Sequence, residues 1–422
     1  MRLSKLAENL ASLSISNFSE KIEGKKSTDK NIFNFTIGDF SPQNFPIPQA
    51  LEKEIIRAYE EKLTNYSPVG GMRELRCTVS EHLKSYGQFN YSPDEIIVAS
   101  GTRPLIYLLF KTLVDPDEKI VHTVPSWNMQ NFIYLAEAKL VTIVTQPENN
   151  FLITAEELEP YIKDIALINL NSPLNPTGSI FSKEQLEQIM DLISIENKIR
   201  IKNNRKPIYI LFDIIYWLLV YDDKFANFSS LMNDPAIKNY IIFVDGISKC
   251  FAATGVRIGW AFGPKDIIEK MRSMLAHLGA WAPKPEQIAV ARYLKQQADV
   301  NNFLTNFKCA LLTRLNIFYE TIRELKNLGY KVDAIEPQGA IYLAIKIDII
   351  GCLTKTKQVI KDVDDIMYYL LEEANIAIVP FYLFGMEKSL PWFRLSVGTC
   401  NLDEAEFAAS ALRLAIMRLG IN

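Results

Sequence analysis

From about residue 46 the chain alternates stretches in which apolar residues recur at helical spacing with short runs that are apolar throughout. Helix starts are predicted at Thr154 with Glu157, Ser182 with Gln185 and Asn401 with Glu404. In each pair a small polar residue and a Glu or Gln three residues later can satisfy each other's free backbone amides. After Ser182, Leu186, Ile189 and Ile193 continue one apolar helix face. Between the helices lie the runs Ile96–Ala99, Lys119–Val124, Ala166–Leu170, Ile208–Phe212 and Tyr240–Val244. Strands apolar on both faces belong in a mostly parallel sheet covered by helices. After about residue 285 the pattern becomes a long helical region to about residue 326, then strand-like segments at Tyr330–Val332, Ile341–Ile347 and Phe393–Val397. The expected architecture is α/β: a large domain over residues 46–300, with a mostly parallel sheet flanked by helices, and a smaller α+β domain from residues 1–45 and 301–422. The first 16 residues read as a short amphipathic helix.

A length of 422 residues is enough for two domains, and an apolar share of 48% is that of a globular protein. The formal net charge of −3 gives no strong pull toward nucleic acid or membrane, and neither partner is expected. Five scattered cysteines without a CxxC pair point to a reduced, cytoplasmic protein. The three histidines, His82, His122 and His277, lack metal-ligand spacing, so no metal is expected.

Three of the apolar runs end in polar clusters, and in open parallel sheets the ligand crevice lies at the carboxyl ends of the strands. Ser100-Gly101-Thr102 leads through Arg103 and Pro104 into an apolar helix. Amides at such a helix start, with two hydroxyls, can cradle a phosphate, although an ordinary helix cap reads the same way. The string from Asn171 to Gly178 holds two X-Pro bonds and a glycine, which makes a stiff loop more specific than a turn requires. Asp213 closes a buried run, with Tyr216 three residues on; alone, such an aspartate is more often a helix cap. Lys249 follows an apolar strand and a glycine-containing turn, where burial would lower its pKa and make it nucleophilic. A single lysine is usually a surface lysine, so its neighbours carry the argument. Arg257 lies eight residues later, beside Gly255, as a second phosphate clamp.

Taken in order, TNYSPVGG (64–71), SGT (100–102), PSWN (125–128), NSPLNPTG (171–178), FDIIY (212–216), DGISKCFAATGVRIGWAFGP (245–264) and FRLSVG (393–398) span nearly the whole chain. The chain resembles the class I/II aminotransferases of pyridoxal-phosphate fold type I, bacterial aspartate aminotransferases among them. The resemblance implies pyridoxal 5′-phosphate as cofactor and small amino acids and 2-oxo acids as substrates. It implies that Lys249 is the Schiff-base lysine, Asp213 the partner of the ring nitrogen, and Asn175 and Tyr216 the donors to the ring's phenolic oxygen. Trp127 matches the aromatic residue stacked on the ring, and Gly101, Thr102 and Arg257 match the phosphate cup; Ser100 belongs to the same cofactor-binding set, and whether Ser248 replaces the serine contact missing at Gly246 stays open. Tyr66 matches a tyrosine that reaches the neighbouring subunit's phosphate, which implies a homodimer with shared active sites. Arg394 matches the grip on the substrate α-carboxylate, aided by Gly38, with Trp127 and Asn175 beside the substrate.

A lysine stands at the position of Arg103 in one bacterial subgroup, where it binds a distal carboxylate, so the resemblance points to dicarboxylate substrates. An aromatic or broad-range enzyme, with Trp281 and Phe381 near the pocket, and a same-fold carbon–sulfur lyase are the alternatives. Three positions depart from the family pattern: Ile214 replaces a glutamate, Gly246 stands where some members have a phosphate-binding serine, and TIGDF (36–40) replaces GxGEPDF.

Overall fold

The computed structural model describes residues 3–10, 32–127, 129–222 and 234–419. All three expected capping boxes form, at Thr154, Ser182 and Asn401. In chain order the strands are β1 (Phe33–Asn34), β2 (Ile96–Ala99), β3 (Lys119–Val124), β4 (Lys139–Val144), β5 (Ile165–Asn171), β6 (Tyr209–Asp213), β7 (Ile241–Gly246), β8 (Gly259–Phe262), β9 (Val332–Ala334), β10 (Tyr342–Ile347), β11 (Ile376–Ala377), β12 (Val379–Pro380) and β13 (Trp392–Ser396).

The main sheet has the order β2-β8-β7-β6-β5-β3-β4. Its strands run parallel except β8, which is antiparallel to both of its neighbours. All five expected strands are present. Ile97, Ile120, Leu167, Leu211, Ile242 and Ala261 belong to one apolar layer with the helices Thr102–Leu113 and Lys265–Leu278. Val98, Val121, Ile168, Ile210, Phe243 and Phe262 belong to the other, with the helices Arg73–Gly87 and Lys183–Lys202. Burial on both faces is what made these strands apolar throughout, and each large side chain removed from water contributes about 1.5–3 kcal/mol.

Register carries the polar strand ends to one place. Asn171 on β5 lies opposite Asp213 on β6, and Asp213 lies opposite Val244 on β7. Strand β7 then runs directly into the short helix Ile247–Cys250, which holds Lys249. Gly246 and Gly259 face each other across β7 and β8. A Cβ on Gly259 would lie 2.5 Å from the backbone of Gly101, so the turn after β2 can press against this point only because no side chain intervenes.

A second, antiparallel sheet has the order β12-β13-β10-β9. β1 pairs with β11 in parallel, which fastens the segment ahead of the first long helix to the C-terminal part of the chain. The single long helical region expected from about residue 285 is two helices, Lys284–Leu294 and Gln297–Asn327, interrupted at Gln296, whose ψ of 66° is not helical. Of the N-terminal amphipathic segment the structure shows the helix Lys5–Glu8, capped by Ser4; residues 11–16 lie outside the described residues. Among the described residues no helix is long and apolar enough to cross a membrane.

Candidate active site

The carboxyl ends of β5, β6 and β7, the helix start after β2 and strands β10 and β13 surround a cavity of about 800 Å³. Lys249 reaches it from the end of β7, and its Nζ donates to the carbonyl oxygen of Gly38 at 2.6 Å. Burial pushes the lysine pKa down to about 8; Arg394, Arg103 and Arg257 push it the same way, against the pull of Asp39. Asp213 ends β6 and accepts the amide proton of Ile215 at 3.0 Å. Burial pushes its carboxyl up to about 6, opposed by that amide and by Lys249.

Asn171 shapes the loop that follows β5. Its Nδ2 donates to the carbonyl of Asp213 at 2.9 Å, and its Oδ1 accepts from the amide of Asn175 at 2.9 Å. The Asn175 side chain in turn accepts from Arg394 Nη1 at 3.1 Å. Arg394, on β13, also donates through Nη2 to the carbonyl of Thr36 at 2.7 Å, and its Nε is buried without a partner among the described residues. Its guanidinium lies 4.7 Å from the ring centre of Tyr342 and 4.9 Å from that of Phe384. In the same cavity Arg103 stacks 4.7 Å above the ring of Trp127.

Gly101 and Arg257 form a cradle. Gly101 has φ +91°, and a Cβ there would lie 2.2 Å from Arg257 Nη2. Arg257 is held by the carbonyls of Ser100 at 3.0 Å and Thr254 at 2.8 Å. Thr102 opens the helix that follows, and Thr102, Ser248 and Arg257 all line the cavity. A side chain at Gly246 would meet the carbonyl of Ile258 at 2.7 Å, so a serine has no room there.

The cavity thus gathers Gly38, Thr102, Arg103, Trp127, Asn175, Asp213, Tyr216, Ser248, Lys249, Arg257 and Arg394 from the sequence reading. Ser100 contributes its carbonyl to Arg257 from behind the wall. Asn128 of the PSWN string lies outside the described residues. Tyr66 is elsewhere: it is 86% exposed and meets Trp281 edge-on at 5.7 Å. Two expectations are corrected. Trp281 gives its indole N–H to the carbonyl of Leu275, and Phe381 is buried against Phe151 and Trp392; neither lines the cavity. The apolar wall is built instead from Ile215, Val379, Leu383 and Phe384. Sequence reasoning also missed Thr36, Asp39 and Tyr342, which line the same cavity. A phenol second in the run Ile341–Ile347, which is otherwise apolar up to Lys346, was the available signal for Tyr342.

The family model for aminotransferase class I and II matches residues 30–412. The chain belongs to the class I and II aminotransferases. It is 32% identical over 365 residues to an aspartate aminotransferase of Bacillus sp. (strain YM-2), covering 86% of each chain. It is 30% identical over 419 residues to the aspartate aminotransferase of Geobacillus stearothermophilus, covering 97% of this chain and 98% of that one. The crystal structure of the aspartate aminotransferase from Rhizobium meliloti superposes with a TM-score of 0.86 at 25% identity, covering 100% of both chains.

This aminotransferase therefore depends on pyridoxal phosphate. When bound, that cofactor supplies a ring that accepts electrons from a carbon losing its proton. The aminotransferase's cavity fits such a group: the side-chain-free cradle at Gly101 beside Arg257 suits a phosphate, and a buried carboxyl, Asp213, and a half-buried amine of lowered pKa, Lys249, line the same cavity.

Proposed function

We propose that this aminotransferase moves amino groups between L-amino acids and 2-oxo acids of the aspartate and glutamate type. Lys249 is the attachment point of the cofactor. Gly101, Thr102, Ser248 and Arg257 hold its phosphate, Asp213 pairs with its ring nitrogen, and Asn175 and Tyr216 face its phenolic oxygen. Trp127 covers the ring. With its amine free, Lys249 would take the proton from the substrate Cα as general base and deliver it to the cofactor's imine carbon as general acid, a task suited to a pKa near 8. Arg394 and Gly38 receive the α-carboxylate, and Asn175 holds Arg394 at 3.1 Å in the required orientation.

The substrate class rests on one observation: Arg103 is anchored on Trp127 at 4.7 Å, inside the cavity that also contains Arg394. A cation at a helix start opposes the helix dipole by about 0.3–1 kcal/mol, and here burial and Arg257 disfavour its charge further. A second carboxylate on the substrate would relieve that cost through a bidentate pair. The relatives named aspartate aminotransferases agree with this reading.

Three further features complete the proposal. The exposed Tyr66 supports a homodimer in which it serves the partner's site. The two sheets support a cofactor domain over residues 46–300 and a substrate-closing domain from 1–45 and 301–422. Five free cysteines support a cytoplasmic location.

The test is a panel of amino donors with 2-oxoglutarate as acceptor. Aspartate and glutamate should give the highest kcat/KM, and Arg103→Ala should raise KM for aspartate by about 10-fold or more, the loss of one charged hydrogen-bonded pair. An aromatic donor should be little affected by that substitution. Preference of the unaltered enzyme for aromatic or aliphatic donors contradicts the dicarboxylate reading. Release of pyruvate and ammonia without an acceptor contradicts transamination.

A further inference from the structure

Tyr342 and Tyr216 come from different sheets. Tyr342 opens β10 of the small sheet, and Tyr216 lies in the turn after β6 of the main sheet. Their hydroxyl oxygens are 2.6 Å apart, in a buried contact with the rings edge to face at 5.6 Å. Tyr342 also lies beneath the Arg394 guanidinium, and a Cβ on Gly38 would sit 2.8 Å from its hydroxyl oxygen. One phenol therefore touches the partner of the cofactor oxygen, the carboxylate-binding arginine and the segment whose carbonyl holds Lys249.

Counting protons decides what this contact does. Burial raises the pKa of both phenols, so both remain protonated. Each hydroxyl has one proton to give and two lone pairs to receive. If Tyr216 donates to Tyr342, no proton remains on Tyr216 for a further acceptor. If Tyr342 donates to Tyr216, the Tyr216 proton is free to point into the cavity. We propose that Tyr342 is a positioning residue that donates to Tyr216 and so aims the Tyr216 proton at the phenolic oxygen of the bound cofactor. This rests on the reading of Tyr216 given above. Because the donor arrives on the strand next to Arg394, with Ala344 of β10 opposite Arg394 of β13, the small sheet helps to set the proton of a residue carried by the main sheet.

The experiment is a double-mutant cycle with Tyr216→Phe and Tyr342→Phe, read as the pH midpoint of the visible absorbance change of the cofactor-loaded enzyme without substrate. A donor to the phenolic oxygen lowers this midpoint. Tyr216→Phe should raise it. Tyr342→Phe should raise it by about 0.4–1 unit, the size of one net hydrogen bond, and should add nothing in the Tyr216→Phe background. Thermal melts of each variant confirm folding, and loss of a hydroxyl alone keeps the ring packing. A midpoint unmoved by Tyr342→Phe, when Tyr216→Phe does move it, overturns the proposal and leaves the Tyr216 reading intact. A Tyr342→Phe shift that persists in the Tyr216→Phe background overturns it as well. If Tyr216→Phe leaves the midpoint unchanged, the Tyr216 reading fails and takes the proposal with it.

Discussion

The Lys249 amine donates to the main-chain oxygen of Gly38, 211 positions away in sequence, at 2.6 Å. A half-buried lysine is thus held by a carbonyl from the segment ahead of the first long helix rather than by a carboxylate. An ion pair would raise its pKa; a neutral acceptor leaves burial to dominate, and the pKa falls to about 8. Covalent capture of pyridoxal phosphate by the cofactor-free protein should therefore accelerate about tenfold per pH unit below 8 and level off above it. Stopped-flow absorbance measures this. A rate still climbing at pH 10, as for an ordinary lysine near 10.4, contradicts it.

Asp213 should show opposite effects on stability and on turnover. Its folded pKa of about 6 is above the ordinary 3.8, so its ionisation opposes folding. The stability present below about pH 4 is lost as pH rises through 6, by about 3 kcal/mol in the cofactor-free protein. Asp213→Asn should raise the Tm of that protein at pH 8 and leave it nearly unchanged at pH 4. Asp213→Ala should still bind cofactor through the phosphate cradle yet lose about 10²-fold or more in turnover. Near-normal turnover would place the ring-nitrogen role on another group.

His82 and His122 predict an acid limit. Both are buried, their ring nitrogens have no hydrogen-bond partner among the described residues, and burial pushes both pKa values down to about 4. With folded values below the unfolded 6.5, their neutral forms suit the native state above pH 6.5, and stability is lost as pH falls toward 4. Denaturant midpoints of the unaltered protein should fall over this window. The double variant His82→Leu, His122→Val should fall less steeply; an unchanged slope contradicts the assignment.

What was legible in the sequence follows from what was buried. Strands β2, β3, β5, β6 and β7 are enclosed on both faces and so announced themselves as unbroken apolar runs. β4 is an edge strand with Lys139, Leu140, Thr142 and Val144 largely exposed, so its pattern was diluted. β8 is four residues long and lies inside a glycine-rich string that reads as a loop. Asn175, Asp213 and Lys249 could be read because each lies at or just after a strand end, whereas Arg394, inside β13, was legible only through the resemblance of its string. The contact of Tyr342 with Tyr216 could not be read, because it spans 126 positions and depends on how two sheets meet. Trp281 and Phe381 failed for a related reason: sequence shows an aromatic side chain but not the direction it faces. Phe381 turns into an aromatic cluster with Phe151 and Trp392, while Trp281 turns toward Tyr66.

Subunit mixing tests the assembly. Lys249→Ala subunits and Tyr66→Ala subunits should each be impaired as homodimers. Mixed, they should regain activity, because one site per heterodimer then has both residues. Light scattering at working concentration should give the mass of a dimer; a monomer with full activity contradicts the shared-site arrangement.

The most direct measurement is borohydride reduction of the cofactor-loaded enzyme followed by peptide mapping. The reduced pyridoxyl group should be found on Lys249, and Lys249→Ala should fold, lose the visible absorbance band and lose nearly all turnover. A label on any other lysine, or full turnover by Lys249→Ala, contradicts the assignment of this site.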